Sequence, residues 1–90
     1  MVSETVKIKN PTGLHLRPAG LFCTTAMKFE NCSVTFKARN GKLAANAKSV
    51  LSVLGACIKS GDEIEIFCEG ENEEAALAEM VKIVEDGLGE

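Results

Sequence analysis

Between Glu4 and Lys9 the chain alternates, with Val6 and Ile8 on one side and Thr5, Lys7 and Lys9 on the other. That is the two-residue period of a half-buried strand. Asn10-Pro11-Thr12-Gly13 then reads as a turn. Ala19, Phe22, Cys23, Ala26 and Phe29 recur at helical spacing and predict a helix from about Leu16 to Phe29. Alternation returns from Ser33 to Arg39, where Val34, Phe36 and Ala38 oppose Thr35, Lys37 and Arg39. Asn40-Gly41 carries the signal of a two-residue hairpin, leading to a third strand through Leu43 and Ala45. A short helix follows from Ser49, its expected N-cap, to about Cys57. After the turn Ser60-Gly61-Asp62, a fourth strand sets Ile64, Ile66 and Cys68 against Glu63, Glu65, Phe67 and Glu69. The last helix is expected to be capped by Asn72, with Glu73 and Glu74 at its positive end. Its apolar stripe is Leu77, Met80, Val81, Val84 and Leu88, and Gly87 is expected to end it. The order is βαββαβα, an α+β arrangement. One apolar face per strand and one stripe per helix predict a single sheet with helices covering one side, an open-faced sandwich.

Ninety residues are expected to form one domain, residues 1–90, with no room for a second core. Apolar residues make up 46% and charged residues 26%, which fits a folded chain rather than a disordered one. No apolar run approaches membrane-spanning length, and MVSETVKIKN lacks the apolar region of a signal peptide. A cytoplasmic location without membrane insertion is therefore expected. Cys23, Cys32, Cys57 and Cys68 contain no C-x-x-C pair, so neither a metal site nor a disulfide framework is expected. Cys23, Cys57 and Cys68 read as small core residues. The net charge of −3 conceals a split: residues 1–61 carry a net +7 and residues 62–90 a net −10. A basic surface in the first part would suit a phosphate and acidic protein partners.

The candidate chemistry lies in Gly13-Leu14-His15-Leu16-Arg17-Pro18-Ala19, which holds the only histidine. Gly13 permits a sharp turn, and Pro18 has its φ preset for the first position of a helix. His15 is thereby placed just before unpaired N–H groups that carry the positive end of the helix dipole. Such a helix start binds anions, and Arg17 adds a charged fork suited to phosphate. Without Arg17 and Pro18, a lone histidine here would read as a plain cap or surface residue. Five fixed residues, each used at roughly 5%, would meet by chance in a chain this long on the order of once in 30,000. Coincidence is therefore set aside in favour of a histidine able to carry a phosphoryl group.

These residues resemble the active centre of HPr, the histidine phosphocarrier family of the bacterial sugar phosphotransferase system. The resemblance covers the whole chain and implies a four-stranded antiparallel sheet with three helices on one face. It implies that Nδ1 of His15 takes a phosphoryl group from phosphorylated enzyme I and passes it to the IIA domain of a sugar transporter. Arg17 would stabilise the phosphate, with Leu16, Pro18 and Ala19 supporting the helix start. Such a protein is a stoichiometric carrier, without cofactor or metal and without turnover of its own, and is expected to act as a monomer.

Asn46-Ala47-Lys48-Ser49-Val50-Leu51 resembles the regulatory serine segment of HPr proteins from Gram-positive bacteria. The resemblance implies phosphorylation of Ser49 by an HPr kinase/phosphorylase and a catabolite-control transcription regulator as a further partner. The implied docking patch is Leu16, Lys48, Val50, Leu51 and Leu54. The chain departs from the commoner pattern at Leu16, where alanine is frequent, at Ser52, where many relatives have glycine, and in extra residues between the motif and Ser49. Rival readings are a regulatory or nitrogen-related paralogue acting by docking, and an RNA-binding sheet. The second is poorly supplied with aromatics, since Phe67 alone is expected on the open face. No nucleic-acid partner is expected.

Overall fold

The computed structural model describes residues 1–90. The strands are β1 (Val2–Lys7), β2 (Cys32–Ala38), β3 (Leu43–Asn46) and β4 (Glu63–Gly70), and the helices are α1 (Leu16–Met27), α2 (Val50–Gly55) and α3 (Glu73–Glu85). The strands form one antiparallel sheet in the order β1-β4-β2-β3. The expected βαββαβα order and four-stranded antiparallel sheet are thus both present.

Alternation decides which side of each strand is covered. In the ladder Val6 faces Ile64, Phe36 faces Ile66, and Val34 faces Cys68, so one face is apolar apart from the exposed Glu4, which meets Ile66 from the edge strand. These residues join Ala19, Phe22 and Ala26 of α1, Val53 of α2, and Met80 and Val84 of α3 in one core cluster of 23 buried residues. Phe22 meets Phe36 edge to face, with ring centroids 5.5 Å apart, and seats α1 on the sheet.

The structure corrects the sequence reading at several boundaries. β1 lies two residues earlier than the alternation suggests, because pairing with β4 ends at Lys7 and Glu63. Ile8 stays buried beyond the strand, donating to Asp62 O (2.8 Å) and accepting from Gly61 N (2.7 Å). α1 stops at Met27, and Phe29 follows it in the turn. The β2–β3 connection spans residues 39–42 rather than two, with Arg39, Asn40 and Gly41 all at positive φ. Asn72 takes a left-handed conformation and makes no side-chain cap; Glu73 instead reaches back to accept Gly70 N–H at 3.1 Å. Leu88 is buried but lies past the end of α3. Cys57 is exposed because the chain leaves α2 through it at φ +54, whereas Cys32 belongs to the core.

Candidate functional site

His15 is the N-cap of α1, in extended conformation, and its carbonyl accepts Ala19 N–H at 2.7 Å. The backbone does the capping. The imidazole makes no cap hydrogen bond and stands exposed. Pro18 occupies the third helical position rather than the first, where its missing N–H still costs nothing. With Pro18 lacking a donor and Ala19 committed to His15, the Leu16 and Arg17 amides remain free at the helix start. Two free amides at the positive end of the helix dipole, with the cationic Arg17 in the same first turn, are groups that can hold an anion next to the imidazole. Pro18 and Ala19 are buried, so the first turn is anchored to the core beneath an exposed face.

The segment before His15 is fixed from below. Gly13 has φ +68, and a Cβ there would collide with the Ile58 carbonyl and the Lys59 backbone. Only glycine allows this approach. Leu14, 3% exposed, donates its N–H to Ile58 O at 3.0 Å. Buried Asn10 donates through Nδ2 to Gly13 O at 2.7 Å and to Glu90 Oε1 at 3.0 Å. Thr12 meets the same Glu90 carboxylate through its N–H (3.3 Å) and its hydroxyl (2.9 and 2.8 Å). These bonds and the Arg17 charge hold the Glu90 carboxyl below its ordinary range, the Asn10 bond contributing most. Sequence reasoning missed Asn10, Thr12 and Glu90 as parts of this site, since nothing local marks a contact spanning 80 positions.

Beside His15 runs an open apolar groove lined by Leu14, Leu16, Leu54, Cys57 and Ile58, with Lys59 at its edge. Leu16 is 68% exposed and Leu51 78%, with Val50 also exposed and Leu54 half-buried. Of these four expected docking residues, Leu16 and Leu54 line the groove beside the imidazole, while Val50 and Leu51 stand exposed in the first turn of α2. Lys48 is differently employed: its ammonium donates to Phe29 O, tying the start of α2 to the end of α1.

Ser49 caps α2, accepting Ser52 N–H at 3.2 Å. Ser52 in turn accepts Asn46 N–H at 2.9 Å through its hydroxyl, so the departure from glycine adds a tie between β3 and α2. No group of three or more His, Cys, Asp and Glu side chains is placed to hold a metal, and no helix is long and apolar enough to cross a membrane.

The charge split along the sequence does not become two halves in space. Acidic β4 lies between β1 and β2, pairing Glu63 with Lys7 and Glu65 with Lys37. On the open face Lys37 sits 5.3 Å over the Phe67 ring. The one aromatic available there is thus covered by a cation and flanked by Glu65 and Glu69, a poor stacking platform for RNA.

Residues 2–86 match the family model described as PTS HPr component phosphorylation site. Among curated proteins, the chain is 34% identical to the HPr-like protein Crh of Bacillus subtilis, covering 96% of this chain and 98% of that one. It is 37% identical to the phosphocarrier protein HPr of Streptomyces coelicolor, covering 100% and 95%. Among solved structures, an HPr from Thermoanaerobacter tengcongensis superposes with a TM-score of 0.92 at 37% identity, covering 100% and 98%.

Proposed function

The chain belongs to the HPr family of the phosphotransferase system, and from that premise we propose that it carries a phosphoryl group on His15 as a single-domain, monomeric carrier. The observation that supports this most is the unbonded, exposed imidazole set against two free amides and Arg17 at the start of α1. In the reaction, a ring nitrogen of neutral His15 attacks the phosphorus of phosphohistidine on enzyme I. The new N–P bond forms as the donor's N–P bond breaks, and the electron pair returns to the donor imidazole. Transfer onward to a IIA domain reverses these roles. Because the group passes between similar nitrogens, the protein's part is positioning and charge stabilisation rather than turnover of its own. Arg17 and the Leu16 and Arg17 amides hold the phosphoryl oxygens, while Leu16, Val50, Leu51 and Leu54 offer an apolar face to both partners.

Ser49 is proposed as a regulatory phosphosite for an HPr kinase/phosphorylase, its phosphorylated form serving a catabolite-control regulator. A phosphate there would keep a favourable place at the α2 N-terminus. It would also set a dianion beside Val50 and Leu51, weakening apolar docking. Similarity to Crh favours a second reading, a regulatory paralogue working through docking alone. The presence of His15 favours the carrier. The deciding experiment is intact-protein mass spectrometry after incubation with enzyme I and phosphoenolpyruvate, alongside His15→Ala. The expected result is one added phosphoryl group, acid-labile and absent from the variant. No addition with active enzyme I would leave the regulatory reading.

A further inference from the structure

No hydrogen bond holds the His15 ring, so its position depends on the backbone on either side. Downstream, α1 is anchored through Pro18 and Ala19. Upstream, residues 10–14 rest on the Ile58–Lys59 backbone from one side only. The other side is closed by the segment that follows α3. There Gly87 N–H bonds Val84 O at 3.1 Å and Leu88 N–H bonds Ile83 O at 2.9 Å, the paired bonds of a Schellman ending. Gly87, Leu88 and Gly89 all have positive φ, at 90°, 52° and 83°. Left-handed geometry at a branched residue such as Leu88 is held only when its surroundings enforce it, and Leu88 is 1% exposed. The buried leucine therefore plugs the tail into the core, and the left-handed run turns Glu90 back onto the turn before His15. All three hydrogen-bond donors that Glu90 engages, on Asn10 and Thr12, belong to that turn.

We propose that Glu90 is a positioning residue for phosphoryl transfer, its carboxylate holding the turn that presents the His15 imidazole to an incoming donor. The inference rests on the carrier reading above. Buried Asn10 spans the two ends of the device, donating to Gly13 O and to Glu90 from the same Nδ2. Releasing the carboxylate frees Thr12 and one of the two Asn10 amide hydrogen bonds, and the turn then hangs from Leu14 and Gly13 alone. Phosphoryl transfer is sensitive to small misplacements of the nucleophile. The cost is therefore expected in the chemical step rather than in docking, since Glu90 bonds Asn10 and Thr12 and none of the docking leucines.

The test is steady-state phosphorylation by enzyme I and phosphoenolpyruvate with this protein as the varied substrate. Glu90→Ala is expected to lower kcat about fivefold at unchanged KM. Glu90→Gln, whose amide oxygen still accepts from Thr12, is expected to restore most of the rate. In a Thr12→Val background, which already lacks the hydroxyl contact, Glu90→Ala is expected to cost less than it does alone. Wild-type kcat in Glu90→Ala, or equal losses in the Ala and Gln variants, would overturn the proposal. A wild-type protein that accepts no phosphoryl group would overturn the carrier reading, and this inference with it.

Discussion

Glu90 makes the residue scale measurable apart from any activity. Its carboxyl is more acidic in the folded protein than the ordinary value of 4.5, chiefly because ionised oxygens accept from Asn10, then from Thr12. Glu73 shifts in the same sense, first through Gly70 N–H. A carboxyl with a lowered folded value binds fewer protons folded than unfolded. Its stabilisation is therefore complete above about pH 4.5 and is lost as pH falls through the folded value. Wild type is accordingly expected to melt higher than Glu90→Gln near neutrality, with the gap closing as the pH drops below 4.5. Thermal melts across pH 3–7 test this, and a gap independent of pH would remove charge from the account. At this scale the candidates His15, Arg17 and Ser49 could be picked out of the sequence because each belongs to a contiguous motif. Glu90 was not, because its partners lie 78 and 80 positions away.

Among the elements, α2 depends most on its first residue. It has six residues, one of them fully buried, too short to persist on its own propensity. Ser49 Oγ satisfies one of its free amides, and the Ser52 hydroxyl ties it to Asn46. Ser49→Ala is expected to cost about 1 kcal/mol, lowering the melting temperature by about 4–8 °C. Ser49→Asp retains a cap and should melt near wild type, yet accept phosphate on His15 more slowly through its charge beside Val50 and Leu51. Matching transfer rates for Asp and wild type would sink the regulatory reading of Ser49. The short helix was readable because serine followed by an apolar run is a start signal. Its exit was not, since a cysteine gives no cue for the left-handed geometry that Cys57 adopts. The strand bounds slipped for a related reason: Ile8 continues the alternation that β1 has already abandoned.

On the scale of the whole molecule, one core holds everything together, and its thiols report on it. Cys32 and Cys68 are buried on the covered face of the sheet, Cys23 is buried within α1, and Cys57 alone is exposed. Burial is the main reason the Cys68 thiol is pushed up to about 11. A thiol-reactive dye is expected to label Cys57 at once and the other three only on global unfolding. Early labelling of Cys32 or Cys68 would mean that the sheet opens locally. The architecture was legible because periods of two and 3.6 residues alternate cleanly along the chain. The strand order was beyond the pattern itself, and so was its mixing of basic and acidic segments. That order, β1-β4-β2-β3, also bears on how the protein is born. The central strand β4 is synthesised after both of its neighbours, so on the ribosome β1 waits without a partner and only the β2–β3 hairpin has its mate. The sheet can close only when all of β4, which ends at Gly70, is free of the ribosome, making its closure a single late event. Until then Val6 and Phe36 lack the Ile64 and Ile66 that face them in the finished sheet.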